Sequence, residues 1–280
     1  MDIIGRRKLI NVVALTLACV AAALGLFWLL FILADILRHG LGSITWELFT
    51  NEAAPPGMAG GGLKHAFIGQ LLITWYAVLI GVPLGVLGGT YLAEYGRNRA
   101  IGRFISTLSD IMISVPSIVI GTFVYAVVVK PSGHFSGYAG AVALAIIMVP
   151  VVLRTTEEMI NLVPWEIREA AFALGAPYYK VIIQVVYRGA ATGIFTGVLL
   201  AIARIAGETA PLLFTSFNNM FLTTDMSESM PSLTVTIYQY AMGPYDDWHQ
   251  MAWAAAFIIT AFILLVTVLG RLIIRWKYKH

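Results

Sequence analysis

The sequence predicts an all-α integral membrane protein with six transmembrane helices and both termini in the cytoplasm. Three observations carry this prediction: the amount of apolar sequence, the length of the apolar runs and the placement of the basic residues. The chain of 280 residues is 59% hydrophobic and only 12% charged, and its mean hydropathy is +0.82. One globular core cannot bury so much apolar surface, so lipid is the expected solvent for the excess.

The apolar runs are long enough, with one exception, to cross about 30 Å of hydrocarbon, which takes roughly 20 helical residues. The run at 139–153 is the short one. The N-terminal segment MDIIGRRKLI has the basic flank of a signal peptide, but the apolar run behind it is too long and no cleavage site of small residues ends it. We therefore expect an uncleaved first span. The six predicted spans are residues 10–34, 67–92, 109–129, 139–153, 190–217 and 251–273.

The basic residues fix the orientation. With the N-terminus inside, inner segments carry 14 of the 18 basic residues, outer segments carry Arg38, Lys64 and Lys130, and Arg204 falls within a span. This bias is the one that orients membrane proteins. It also explains the pI near 9.0 without nucleic acid as a partner. The inner set is Arg6, Arg7, Lys8, Arg97, Arg99, Arg103, Arg154, Arg168, Lys180, Arg188, Arg271, Arg275, Lys277 and Lys279.

The sequence lacks the residues that several kinds of chemistry require. Cys19 is the only cysteine, which excludes an intramolecular disulfide and a thiolate metal cluster. The chain has no G-x-x-x-x-G-K-[ST] loop, so it does not bind and hydrolyse ATP by that route, and it has no H-E-x-x-H or G-x-S-x-G motif. We expect a protein without catalytic residues, metal or bound cofactor.

The chain divides into a first transmembrane helix with a long outer loop (1–66) and a core (67–280) that contains an inner loop at about 154–188. Within that loop Pro164 and Gly175 are typical of the start and end of a helix of about three turns. This helix could lie on the inner leaflet. Its acidic residues and those just before it oppose anionic lipid, and the small Ala170 and Ala171 would let a partner approach closely, so a protein partner is the favoured interpretation.

The segment ARIAGETAPLLFT places Arg204 and Glu208 inside the fifth predicted span. Four residues apart, they would share one helix face, while Pro211 cannot donate to the carbonyl of Gly207, so a kink is expected there. Thr209 is expected to satisfy part of the freed backbone. Two interpretations are open. The charges form an internal ion pair, or Arg204 lines an anion path and Glu208 orients it.

Arg154, at the inner end of the fourth span, is the second candidate. One interpretation is that it extends to the inner headgroups, and the other is an anion contact at the inner mouth of the path.

The run EAAFALG, from Glu169 through Ala170 and Ala171 to Gly175, resembles the EAA-x-x-x-G motif of bacterial ABC importer permeases. The stretches ISVPSIVIG, VLRTTEEM, REAAFALGAP and RIAGETAPLLFT are similar to permease subunits of phosphate-specific importers, from about residue 67 to the end. The family pattern usually continues to I-x-L-P, where this chain has Val185, Val186, Tyr187 and Arg188. The exit from the loop therefore departs from the family.

The resemblance implies a type I importer permease (MetI-like) fold in a bacterial inner membrane, with the motif helix coupling to an ATPase. It implies a path for inorganic phosphate and four partners: a second homologous permease subunit forming a heterodimer, a dimeric ATP-binding subunit that uses ATP and Mg²⁺, a periplasmic phosphate-binding protein, and membrane lipid. The alternatives are a permease for sulfate, molybdate or another oxyanion, a secondary transporter in which Glu208 carries a proton, and a non-transporting assembly or signalling subunit.

Overall fold

In the computed structural model, residues 3–55, 58, 60–96 and 99–277 are described, and every regular element among them is helical. Arg97 and Lys279, two of the inner basic residues, lie outside this set. The α-helices are α1 (Ile3–Gly42), α2 (Glu47–Thr50), α3 (Lys64–Tyr91), α4 (Ala100–Ser114), α5 (Ser117–Val124), α6 (Lys130–Ser132), α7 (Gly137–Asn161), α8 (Trp165–Ala173), α9 (Tyr178–Val181), α10 (Tyr187–Ala206), α11 (Ala210–Thr215), α12 (Leu233–Met242) and α13 (Asp246–Lys277), with π-helical turns at Leu92–Gly96, Tyr125–Val129 and Ile182–Val186.

Five helical stretches of the described chain are long and apolar enough to cross a membrane, and a sixth span exists if the pair Ala100–Ser114 and Ser117–Ser132 is counted as one. This agrees with the predicted number of six. The prediction of a continuous third span at 109–129 is wrong, because the pair is bent by 105°. The cause is Pro116, which forces the preceding Val115 into an extended conformation (ψ 130°).

Helix α7 is the centre of the fold, with 67% of its apolar window buried, and it lies between α3 and α10. Both neighbours present a glycine at every fourth position. A Cβ added at any of these glycines would lie 3.2 Å or less from an atom of α7 or of Val163 just beyond it. Small residues at this spacing let helix backbones approach closely, which favours packing where lipid supplies no hydrophobic force. They are Gly81, Gly85 and Gly89 on α3, and Gly189, Gly193 and Gly197 on α10.

Helix α1 contrasts with α7, because none of its apolar window is buried. Near its outer end Gly40 lies against Phe257 and Trp253 of α13, and the ring of His39 stacks on Trp253 at 4.9 Å between centroids. The outer loop that follows is packed against the core, since Leu48 and Leu63 are buried with Tyr240 and the start of α13.

The inner loop contains the helix that the sequence predicted. Helix α8 follows Pro164 and ends before Gly175, whose φ of +79° is the left-handed conformation that favours glycine. The amide of Ala176 donates to the carbonyl of Ala171, and that of Gly175 donates to Phe172. These bonds close the end of α8 and turn the chain toward α9.

Candidate functional site

The fifth predicted span is interrupted at the candidate charges. Helix α10 ends at Ala206 and α11 begins at Ala210, with Pro211 in its first turn. The side chain of Thr209 makes no capping bond, so the expectation that it satisfies the freed backbone is wrong. Other helices do this instead, because Thr234 donates to the carbonyl of Glu208 at 2.9 Å and Gln70 donates to that of Ala206 at 3.4 Å.

Arg204 and Glu208 do not form an ion pair, which was one of the two interpretations open from the sequence. Among the described residues the arginine ion pairs are those of Arg154 and Arg168, and Arg204 is exposed while Glu208 is half-buried. The reason is the break: α10 stops two residues before Glu208, so the four-residue spacing no longer places both side chains on one helix face.

Arg204 lies in the last turn of α10, just before the break. Gly197 on α10 packs against Thr155 on the antiparallel α7. Arg204 is seven residues further along α10, about 10 Å at 1.5 Å per residue, which brings it level with the centre of α7 (Gly137–Asn161). The Cα of Arg204 is therefore level with the middle of the most buried helix of the fold.

A second interrupted span meets the first. Helix α5, which begins after the break at Pro116, packs against α11, and a Cβ added to Gly121 would lie 2.6 Å from the Cα of Pro211. Two broken spans thus lie side by side near Arg204. The break at Pro116 was not predicted from the sequence, although a proline after an apolar helix is the signal for one.

Arg154 is held by carboxylates from two helices. Its Nε and Nη2 donate to Asp110 of α4 at 2.9 and 2.6 Å, and its Nη1 donates to Glu157 at 2.8 Å. In this structure its guanidinium is engaged by these two carboxylates. The structure therefore joins Arg154 to α4, and it does not bring Arg154 to Arg204.

Helix α8 and the turn after it present Glu169, Ala170 and Gly175 to solvent, while Ala171 is half-buried. Large apolar side chains share the exposed surface, since Trp165 is 54% and Leu174 is 89% exposed. Such a surface on a helix outside the spans is typical of a protein-docking site.

Arg168 is a buried charged residue of α8, which its place among the inner basic residues did not predict. Its Nη2 donates to the Oε1 of Glu94 at 2.9 Å, and the hydroxyl of Tyr178 donates to the Oε2 of Glu94 at 2.8 Å. We call Glu94, Arg168 and Tyr178 the Glu94 cluster. No local sequence signal identifies it, because its members lie on three separate segments.

Among the described residues no three histidine, cysteine, aspartate or glutamate side chains come together in a way that could hold a metal ion.

Comparison with known proteins gives the geometry a context. The family model described as "Binding-protein-dependent transport system inner membrane component" matches residues 81–277. The chain is similar to the phosphate transport system permease protein PstA of Pasteurella multocida (strain Pm70), with 49% identity over 98% of this chain and 97% of that protein. It is also similar to PstA of Haemophilus influenzae (strain Rd), with 48% identity over 97% and 96% of the two chains.

Among solved structures, the inward-facing MetNI methionine ABC transporter is similar at a TM-score of 0.61 and 18% identity, over 76% of this chain and 94% of that chain. At this identity the likeness concerns the fold, and it confirms the predicted architecture.

Proposed function

The chain belongs to the binding-protein-dependent transport system inner membrane components, in the PstA group, and from this premise we propose that it carries inorganic phosphate as one of two different permease subunits. It is a multi-pass, non-catalytic subunit of a bacterial inner-membrane importer, whose energy comes from an ATPase partner and whose substrate is delivered by a binding protein. The names of its relatives support phosphate as the substrate.

The observation within this chain that carries the proposal is that Arg204 is exposed and has no ion-pair partner among the described residues. A charged side chain at the centre of a span costs about 2.5–3.5 kcal/mol on insertion scales, so it is tolerated mainly where it faces protein or a water-filled cavity. Arg204 has no ion-pair partner among the described residues, and its side chain is exposed on a single chain. We infer that it faces the path between the two permease subunits.

A guanidinium suits this task because its planar fork matches two phosphate oxygens and stays charged at every relevant pH. Glu208 lies beside the same break and adds a negative charge there. We expect Glu208 to limit how tightly Arg204 holds the anion, so that phosphate is released. The break of α10 near Gly207 and Pro211 provides room for the anion to approach.

Helix α8 supplies the contact with the energy source. Its exposed surface, with Glu169, Ala170, Ala171 and Gly175, docks on the dimeric ATP-binding subunit. ATP binding closes that dimer and turns the path outward to receive phosphate, and hydrolysis turns it inward. Arg154 is a second anion contact at the inner mouth only if the movement separates it from Asp110.

The test is phosphate uptake at micromolar concentration in cells that lack this chain, complemented with the wild type or with Arg204→Gln, with sulfate uptake measured in parallel. The matched control is Arg38→Gln, the same change at an exposed arginine in the outer part of α1. We expect wild type and Arg38→Gln to restore phosphate uptake alone, and Arg204→Gln to assemble without transporting. Normal transport by Arg204→Gln would refute the site, and restored sulfate uptake would refute the substrate.

A further inference from the structure

We propose that the Glu94 cluster is a rigid joint that fixes the docking helix α8 to the membrane-spanning core, so that a displacement of α8 moves α3 and α7 with it. The inference rests on the proposed function, because it concerns how movement of the ATPase reaches the anion path. Arg168, Glu94 and Tyr178 are positioning residues in this view, since none of them contacts the anion.

The joint contains a buried charge pair between distant parts of the chain. The side chains of Arg168 and Glu94 are 6% and 3% exposed, although 74 positions separate them in the chain. Withdrawing two charges from water is costly, and good geometry with further hydrogen bonds is needed to offset the cost. An apolar patch would hold α8 with a smaller desolvation cost but would let it slide. Charge-assisted hydrogen bonds fix both distance and angle.

Arg168 joins three segments at once. Besides Glu94, its guanidinium donates to the carbonyl of Ile160 at 3.0 Å and to that of Val163. The first of these carbonyls lies in the last turn of α7, where it also accepts from the amide of Val163, and the second lies just beyond the helix. One side chain of α8 therefore caps α7 and binds the end of α3.

Glu94 is also held from a second direction. Tyr178, the first residue of α9, donates to the other carboxylate oxygen of Glu94, and its ring is stacked on Phe172 of α8, with centroids 5.8 Å apart and planes within 3°. One carboxylate oxygen of Glu94 thus binds α8, and the other binds α9, the next helix of the inner loop. Rotation of α8 about the Arg168 bond alone is prevented.

The position of Glu94 connects the joint to the core. Glu94 lies in the π-helical turn Leu92–Gly96 that continues α3, and such turns occur frequently at functional sites. Helix α3 is packed against α7 through its glycines over three successive turns. A force applied to Glu94 is therefore applied to the closely packed centre of the protein, against which α10, the helix of Arg204, also packs.

The experiment uses the complete complex, with the partner permease, the ATPase and the binding protein, in proteoliposomes. Phosphate transported per ATP hydrolysed is measured for wild type, Glu94→Gln and the matched control Glu158→Gln, an exposed glutamate on α7. For Glu94→Gln we expect hydrolysis to continue while phosphate moved per ATP falls about tenfold, within the range by which residues along a coupling route alter coupling. Glu158→Gln should match wild type.

A second measurement reports the joint itself. The single cysteine, Cys19, is replaced by alanine, and spin labels are placed at the exposed Ala173 of α8 and the exposed Leu87 of α3. We expect a narrow distance distribution in the wild type and a broad one in Glu94→Gln. The double variant Glu94→Gln with Arg168→Gln leaves no unpaired buried charge. It should therefore move more phosphate per ATP than Glu94→Gln alone. A residue that merely aids folding would change the amount of complex and leave the ratio of phosphate to ATP unaltered.

The outcomes separate the two proposals. If the wild-type complex does not move phosphate on ATP hydrolysis, the proposed function fails. If it does, and Glu94→Gln shows the wild-type ratio and a narrow distance distribution, the joint is refuted and the function stands. Should Glu94→Gln fail to assemble, Tyr178→Phe keeps both charges and carries the same test, with an expected loss of phosphate moved per ATP of about two- to threefold, at the lower end of the range by which residues along a coupling route alter coupling. An unchanged ratio in that variant likewise refutes the joint.

Discussion

Two arginines of this protein occupy opposite situations, and we interpret the difference as one between a structural charge and a charge on the proposed anion path. Arg168, in the inner loop, is buried, finds acceptors on α3 and α7, and lies 5.5 Å from the ring of Trp165. Arg204, at the broken span, is exposed and has no ion-pair partner in the part of the chain that the structure describes. A charge whose partners lie within its own chain holds the fold together, whereas a charge whose partners lie elsewhere is available to a passing ligand.

The largest effect on stability is expected for Arg168→Met, which leaves Glu94 as an unpaired charge in a buried position. Removing one partner of a buried pair costs about 3–5 kcal/mol. Denaturant unfolding of the purified complex measures this, with Arg204→Met as the matched variant, for which we expect a change within about 0.5 kcal/mol. Equal losses for the two variants would contradict the division between an architectural arginine and a transport arginine.

Tyr178→Phe should have a smaller effect, because it removes one hydrogen bond to Glu94 and keeps the ion pair. A hydrogen bond to a charged group contributes about 1.5–3 kcal/mol. The same unfolding measurement applies, and Tyr179→Phe is the control, since Tyr179 is exposed. A loss as large as that of Arg168→Met would mean that Tyr178, and not the ion pair, holds the docking helix.

Asp110→Asn is expected to cost still less, about 1 kcal/mol or below, because a pair near solvent gains little net energy. The side chain of Asp110 is 54% exposed, and that of its partner Arg154 is 28% exposed. Denaturant unfolding of the complex again measures this change in the free energy of unfolding. Arg154 thus lies between the two extremes, and a loss well above this figure would place it with Arg168 as a structural residue.

The smallest effect on stability, and a clear effect on transport, is expected for Arg204→Lys. The ammonium keeps the charge but lacks the planar fork, so we expect unfolding to be unchanged within about 0.5 kcal/mol and phosphate uptake to fall between those of wild type and Arg204→Gln. Uptake equal to that of wild type would show that only the charge matters, and a loss of stability would move Arg204 into the architectural group.

The features that depend on neighbouring residues in the sequence were the ones predicted well. The spans follow from the length of apolar runs, and helix α8 follows from Pro164, which precedes it, and Gly175, which adopts a left-handed conformation at its end. The break in the fifth span follows from Pro211, although its consequence for Glu208 was not predicted. A helix that ends at Ala206 removes the spacing on which the ion-pair hypothesis depended.

What escaped prediction depends on contacts between distant segments. In the sequence Glu94 stands near basic residues and Arg168 stands between acidic ones, as solvated charges often do. Only the fold brings the two together. Asp110 similarly gave no sign that it would bind Arg154. The glycines at four-residue spacing on α3 and α10 are a different case, because that spacing is a recognised packing signal in membrane helices and was present in the sequence.

The exposure of α1 has a consequence for how the protein is made. This helix leaves the ribosome before the other described helices, yet it packs against α13, where Gly40 lies against Phe257. At a synthesis rate of about 5–20 residues per second, the roughly 200 residues in between take about 10–40 s. Helix α1 therefore stays in the bilayer for this time before the helix that it packs against is made.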